Sequence, residues 1–530
     1  MSNALFNSVQ MRKPMRSTFD LTHDVKFSTK FGVLTPICAF DLLPSDRINL
    51  GCDALIKLAP ILAPIMHRVD FTQHYFVVPT RIMWENWEKF IVDEKDENGD
   101  PYIQPYVTLK QGVTNPAIFK LCDYLGISVP ELPTQTAEEK VLAYPFKAFL
   151  MIYNEYYRDQ NLIDEIEWNL VDGNNTTEFD AIFSDKIFYR AWEHDYFTSC
   201  LPFAQKGSAV DLPLGNVILA DNLDATNNPF FQKADGGVLQ GNVDQQPTPD
   251  MEIQLASDPS EPAYLNPAGS LVVGPTTIND LRRAYRLQEW LEKNARGGTR
   301  YFESILVHFN LKSPDARMQR PEYITGIKSP VIVSEVLNTT GPTDFSDNET
   351  GNVEQTGSPQ GPRAGLATGM HQGRVGNYRA QEHSWVIGIF SIMPKTAYQQ
   401  GINRMFQRES FLDYAWPTFA QLGEQEVYTR EIFAYHDDSV ELFGYIPRYA
   451  EYKFLNSRVA GDFRTTLKYW HCGRIFSDPP RLNQDFIEMR PEDVSRIFAV
   501  EDSPTDNVWC HILHKIRGNR PLPFFGTPTI

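Results

Sequence analysis

His383-Ser-Trp-Val-Ile-Gly-Ile-Phe-Ser-Ile-Met393 is the stretch that decides the fold class. It is a nearly unbroken run of β-branched and aromatic side chains, of strand rather than helix length, and it reads as a buried strand. The span from Phe27 to Pro79 has the same character. Val69, Phe71 and Gln73 there alternate with polar neighbours, and Tyr75-Phe76-Val77-Val78 forms an apolar run ended by Pro79. Further strands are expected at Tyr301 to Leu311, Val440 to Ile446 and Thr465 to Trp470.

Helices fall in the connections. Trp84 to Ile91 is one. Asn115-Pro116 sets an N-cap and first helical residue for a second, which Gly126 closes. Pro145 to Asp159 carries Phe146, Phe149, Leu150, Tyr153 and Tyr157 on one face. Asn279 reads as the N-cap of an amphipathic helix, Asp280 to Arg296, with Leu281, Ala284, Leu287 and Leu291 on its stripe and Gly297-Gly298 at its end.

Two stretches lack such patterning. Residues 221–270 hold six prolines, eight acidic residues and one basic residue, Lys233, with no sustained apolar period. They read as an irregular outward insertion, because a core would leave so much irregular backbone unpaired. Residues 338–377 hold eight glycines and read as a second loop. Strands separated by very long connections suit a β scaffold whose loops touch neighbours. That organisation fits a viral jelly roll, a glycan-binding sandwich or a large β-rich hydrolase.

The formal charge of −18 over 530 residues argues against a protein that coats nucleic acid unaided, since phosphate binding needs clustered Lys and Arg. The opening is the exception: the first thirty residues carry Arg12, Lys13, Arg16, Lys26 and Lys30 against Asp20 and Asp24. Arg12, Lys13 and Arg16 are the candidate nucleic-acid contacts, while the simpler reading of the arm is a solvated terminus or a docking arm onto a neighbouring subunit. The six cysteines (38, 52, 122, 200, 472, 510) include no CxxC pair and read as buried thiols. No apolar run is long enough to span a bilayer, and no signal peptide opens the chain.

GxxxxGK[ST], HExxH and GxSxG are all absent. Glu94, Asp96, Asn98 and Gly99 resemble the start of a calcium loop, but Pro105 stands where a bidentate carboxylate is needed, so a solvated acidic turn is expected. His67 and His74 fall on opposite strand faces and share no metal. The Asn-x-Thr triplets at Asn174, Asn175, Asn338 and Asn348 read as chance matches in polar loops.

Several stretches resemble, in order, the major capsid proteins of the microvirus family (Microviridae), gokushovirus side. They begin with Phe19-Asp-Leu-Thr-His-Asp-Val-Lys26, Leu58-Ala-Pro-Ile-Leu-Ala-Pro-Ile-Met-His-Arg68 and His74-Tyr-Phe-Val-Val-Pro-Thr-Arg81. Leu201-Pro-Phe-Ala-Gln-Lys-Gly207, Arg283-Ala-Tyr-Arg-Leu-Gln-Glu-Trp290, Gly297-Gly-Thr-Arg-Tyr-Phe-Glu303 and Arg320-Pro-Glu-Tyr323 follow. Gly423-Glu-Gln-Glu426, Tyr445-Ile-Pro-Arg-Tyr-Ala-Glu-Tyr-Lys453 and Pro523-Phe-Phe-Gly-Thr-Pro528 complete the set.

The resemblance implies a mainly β protein: an eight-stranded antiparallel viral jelly roll with long loop insertions containing short helices. An arm over 1–18 would precede a single capsid domain over 19–530, with 208–275 a surface insertion at the threefold axes and 338–377 the Gly-rich loop. It further implies a T=1 icosahedral shell of sixty copies by symmetry around circular single-stranded DNA, made in the host bacterial cytoplasm and present in the virion. Implied partners are further copies of the chain, a small basic DNA-binding packaging protein, a minor pilot-type virion protein, the packaged single-stranded DNA and a host surface receptor. No catalytic residue, cofactor or metal is expected. A glycan-binding β-sandwich or phage attachment protein is the alternative.

Overall fold

Period-two alternation governs the central strands. In Arg47–Leu58, Ile48, Leu50, Cys52, Ala54, Ile56 and Leu58 are buried while Arg47, Asn49 and Lys57 are exposed. Val508–Arg520 repeats the pattern, burying Val508, Cys510, Ile512, His514 and Ile516. The computed structural model describes residues 14–525 except 131–133, 185–187, 338–362, 438–439 and 500–504; between 212 and 276 it describes only the backbone of seven short strands. The chain forms two compact units, Gln205–Arg296 and the remainder.

The main sheet of the larger unit is antiparallel throughout. Its strands are β1 (Ser17–Asp20), β2 (His23–Thr29), β3 (Thr35–Leu42), β4 (Arg47–Leu58), β5 (Val69–Pro79), β6 (Glu322–Leu337), β7 (Arg363–Arg379), β8 (Ser384–Pro394) and β9 (Val508–Arg520). β1 and β2 lie end to end against β9, followed by β4, β7, β6, β5, β8 and β3. Leaving aside the four-residue β1, the runs β2-β9-β4-β7 and β3-β8-β5-β6 each interleave early and late strands, the Greek-key order of a jelly roll. Pairing of β6 with β7, from Val331↔Gly369 to Leu337↔Arg363, joins the halves into one curled sheet of nine strands rather than the expected eight.

The halves face each other across the core. The Tyr75 hydroxyl on β5 lies 3.1 Å from His514 Nδ1 on β9, and Cys52 Sγ on β4 donates to Gln73 Oε1 at 2.8 Å. Phe27 meets Phe390 edge-on, with centroids 5.5 Å apart. A Cβ on Gly369 would sit 2.8 Å from the Phe71 ring. Residues 363–377, expected as loop, are therefore strand, and Gly369 there lets a ring pass close to the backbone.

β5 and β8 lose the alternation because both their faces are covered. On the far side Phe76, Val78, Ile387 and Ile389 join a second core with α1 (Pro116–Tyr124), α2 (Tyr144–Ile152) and α3 (Thr176–Phe183). α1 begins as expected: Asn115 accepts from the Ala117 N–H at 2.9 Å, and Gly126 adopts φ +83° beyond the helix. α2 runs on as a π-helical turn, Tyr153–Tyr157. Of the expected helix at 84–91 only Trp87–Ile91 is helical, and a separate turn of helix, Thr80–Met83, precedes it.

Three further expectations need correction. Tyr301–Phe309 is helix, not strand. Phe302, Ile305, Leu306 and Phe309 keep helical spacing, and Glu303 reaches back to accept from the Arg300 N–H at 3.2 Å. Thr465 to Trp470 forms no strand; the Asp462 carbonyl takes the N–H groups of Thr465 (3.1 Å) and Leu467 (2.9 Å) in tight turns. The 278–297 helix is capped by Thr277, whose hydroxyl donates to Asp280 at 2.6 Å, rather than by Asn279. Val440 to Ile446 fares better, as Leu442–Pro447 pairs with Glu424–Tyr428.

The described residues of 212–276 are strands rather than irregular chain. Val217–Leu219 pairs with Leu271–Val273, and inside that pair Phe230–Gln232 meets Tyr264–Asn266. Innermost, Val243–Gln245 and Asp258–Pro262 both flank Ile253–Leu255. Strands of three to five residues are too short to display a period, which is why the sequence pattern missed them.

Candidate functional site

Of the three arm residues, Arg12 and Lys13 lie outside the described residues. Arg16 is committed within its own chain. Its Nε donates to Asn519 Oδ1 (2.7 Å), Nη1 to Ser45 Oγ (2.6 Å), and Nη2 to the carbonyls of Ser45 (2.7 Å) and Asn519 (2.8 Å). A guanidinium held by four acceptors fastens the start of β1 to β9, and its remaining capacity for phosphate is small.

A different basic surface comes from the strand alternation. The residues of β9 that face away from the core are Trp509, His511, Leu513, Lys515 and Arg517, and those of β4 are Arg47, Asn49, Gly51, Asp53, Leu55 and Lys57. Register places Trp509 beside Lys57, and Lys26 of β2 beside His511. Lys26, Lys57, Lys120, Tyr124, Trp509 and His511 line an open depression of 690 Å³.

Part of its charge is cancelled. Lys26 meets Asp24 at 2.6 Å, Lys515 meets Asp53 at 2.5 Å, and Lys120 meets Asp506 at 2.8 Å. Hydrogen bonds from Lys26 and His511 hold the Asp24 carboxyl below its usual range. Arg47 and Lys57 stand in no ion pair among the described residues. An indole 48 % exposed beside lysines offers a base-stacking platform, although Asp24, Asp123 and Asp506 offset the lysine charge around it. The signal was present as basic residues at alternate positions in Val508-Trp-Cys-His-Ile-Leu-His-Lys-Ile-Arg517, but it is visible only once that stretch is known to be a strand.

The other motifs resolve quietly. Asp96 turns its carboxylate onto the N–H groups of Asn98 (2.9 Å) and Asp100 (2.8 Å), making a local acidic turn. His67 bonds the Lys395 carbonyl through Nε2 at 2.6 Å and His74 Nδ1 meets the Tyr157 hydroxyl at 2.8 Å, so the two do not converge. All six cysteines are buried free thiols. Asn174 accepts from Thr176 N–H at 3.0 Å in its turn, while Asn338 and Asn348 lie outside the described residues. Among the described residues no helix is long and apolar enough to cross a membrane.

Large side chains are conspicuously exposed on the irregular connections of the larger unit. Phe406 (74 %), Phe411 (71 %), Tyr435 (96 %) and Leu455 (68 %) are examples. Nearby, the Arg408 guanidinium lies 4.9 Å from the Tyr414 ring centre and 4.6 Å from that of Tyr452. An isolated subunit rarely leaves so much apolar surface in water, whereas a subunit of an assembly covers it.

A curled Greek-key sheet with long, aromatic-bearing connections fits a structural coat subunit, and comparison with known proteins decides for that class. The chain belongs to the phage family described as "Capsid protein (F protein)", whose sequence model matches residues 7–530. It is 35% identical over 537 residues to capsid protein VP1 of Bdellovibrio phage phiMH2K, covering 97% of this chain and 95% of the relative. It is 33% identical to capsid protein VP1 of Chlamydia phage 1 (99% and 97% covered) and 28% identical to that of Spiroplasma virus 4 (97% and 95% covered). These are gokushovirus-type microviruses, so the resemblance drawn from the motifs is borne out, and with it a structural rather than enzymatic role in the virion.

Proposed function

We propose that the chain closes by symmetry into a T=1 icosahedral shell enclosing circular single-stranded DNA. The observation that carries this reading is the set of exposed apolar side chains on its long connections, including Phe406, Phe411 and Tyr435, on a subunit whose own core is already complete. Covering that surface in neighbouring subunits supplies the assembly energy.

The interior follows from charge. A shell built of −18 subunits repels DNA unless basic partners enter with it. A small basic packaging protein fits that need, with a minor pilot-type protein as a second virion component. Direct DNA contact from this chain is assigned to the Trp509 and Lys57 face of β9 and β4, aided by Arg12 and Lys13 of the arm, while Arg16 serves as the fastening. The acidic insertion 208–275 takes the threefold protrusion and host-receptor contact. Synthesis is in the host bacterial cytoplasm.

Electron microscopy and sizing of nuclease-treated product test the shell. Uniform icosahedral particles with threefold protrusions are expected; a discrete monomer or trimer under every assembly condition would overturn it. Particles lacking 221–270 should still assemble but adsorb to the host poorly, and normal adsorption would remove the attachment role.

A further inference from the structure

Three ligand-type side chains meet where the two free edges of the curled sheet approach each other. Among the described residues, His23 opens β2, which pairs only with β9, and Cys38 lies in β3, which pairs only with β8; His514 lies in β9. One ligand atom from each lies within 4.8 Å of the other two. The imidazole rings of His23 and His514 are 5.1 Å apart, centre to centre. Positions so distant in sequence leave no spacing motif, which is why cysteine and histidine spacing alone gave no hint of them.

The hydrogen bonds fix both imidazoles in a particular tautomer. His23 Nδ1 lies 2.9 Å from the Leu21 carbonyl, and His514 Nε2 lies 3.1 Å from the Ile37 carbonyl. A carbonyl oxygen can only accept, so each of those nitrogens carries the proton. The lone pairs are left on His23 Nε2 and His514 Nδ1. An imidazole whose far nitrogen donates to a backbone carbonyl is the arrangement that orients a metal-binding histidine. Burial keeps His514 neutral by pushing its pKa down to about 4.

Room is kept beside the thiol. Gly388, facing Cys38 across the ladder, would with a Cβ come 3.1 Å from Cys38 Cβ and 3.0 Å from the Tyr75 ring. Cys38 and His514 are buried and His23 is exposed, so the cluster has one open side through which an ion can enter.

We infer that His23 Nε2, His514 Nδ1 and Cys38 Sγ form a site for a thiophilic divalent cation, Zn2+ by ligand chemistry, which clips edge strands β2 and β3 to β9. Two imidazoles and a thiolate suit Zn2+, whereas Ca2+ and Mg2+ require oxygen ligands that the cluster does not offer. Zn–N and Zn–S bonds of about 2.0 and 2.3 Å place tetrahedral ligand atoms roughly 3.3–3.5 Å apart, so atoms now within 4.8 Å of one another close in by up to about 1.5 Å on binding. The exposed His23 side chain, near the start of its strand, supplies that movement.

Binding also moves a proton. Burial pushes the Cys38 thiol up to about 12, so the S–H is intact until the cation displaces its proton to solvent. The Tyr75 hydroxyl gives up its contact with His514 Nδ1 and keeps the one beside Cys52. Water entering past His23 fills the fourth position.

The test uses the full chain, stripped with chelator under reducing conditions, and two probes: Zn2+ alone and Co2+ alone. Retention of one Zn2+ per chain after dialysis is expected, with a raised unfolding temperature. Co2+ should give a thiolate charge-transfer band and tetrahedral visible bands. His23→Ala removes an exposed ligand without touching the core and should weaken Zn2+ at least tenfold. Cys38→Ala should erase the charge-transfer band, with folding checked by circular dichroism. Sub-stoichiometric Zn2+, or binding that His23→Ala leaves unchanged, overturns the site.

Discussion

Acid should loosen this subunit through His74. Its ring lies on β5, stacked on Tyr157 at 6.0 Å and edge-on to Phe76 and Tyr323, and burial, with Arg190 nearby, pushes its pKa down to about 4. An unfolded chain takes up that proton as pH falls below about 6.5, while the folded chain refuses it until about 4. The stability is therefore fully present above pH 6.5 and is lost as pH falls through the window down to 4. Linkage with these two values gives a loss of about 2 kcal/mol at pH 5 relative to pH 7, and a steepest slope of about 1.2 kcal/mol per pH unit. Against a total domain stability of roughly 5–15 kcal/mol this is a readable fraction. His74→Asn keeps an acceptor for the Tyr157 hydroxyl and cannot titrate. Urea unfolding of unassembled subunits between pH 7 and 4.5, with chelator present, should show a shallower pH slope for the variant. The slope is the readout because losing the ring also lowers stability at every pH. Identical slopes for variant and parent would refute the buried neutral imidazole.

Gly401→Ala should prevent soluble expression, since its Cβ would fall 1.9 Å from the Glu431 carbonyl oxygen, backbone that cannot step aside; expression and circular dichroism read this out. Asn115→Ala removes the cap of α1 and should cost about 1 kcal/mol in denaturant unfolding. Trp509→Ala with Lys57→Glu should weaken single-stranded DNA retention by purified subunits at low salt and flatten its salt dependence, measured by filter binding, while particle assembly continues.

The strands that the sequence announced are those whose environment is uniform along their length. His383 to Met393 is continuous because sheet and helices cover it from both sides, and Asn115-Pro116 is legible because a cap is local chemistry. What escaped depends on partners far away in the chain. The glycines of 363–377 look like loop until Phe71 is placed against Gly369. Tyr301 to Phe309 has strand-like composition, but Glu303 closing on Arg300 and a helical apolar spacing decide for helix. Arg16 reads as a free cation until Ser45 and Asn519 arrive from opposite ends of the chain. The functional class came through nonetheless, because ordered motifs along the whole length carry information that no single residue holds.

The place of β9 sets a timetable for synthesis. Residues 508–520 lie between β2 and β4, although those neighbours leave the ribosome more than four hundred residues earlier. One half of the sheet thus waits, with β4 unpaired along that side, until residues 508–520 have been made, and such late long-range pairing is slow. A chain terminated before residue 508 lacks the strand that bridges β2 and β4 and cannot present a finished subunit surface. Quality control of the shell is then written into strand order: only chains translated through β9 acquire the shape that neighbours can accept.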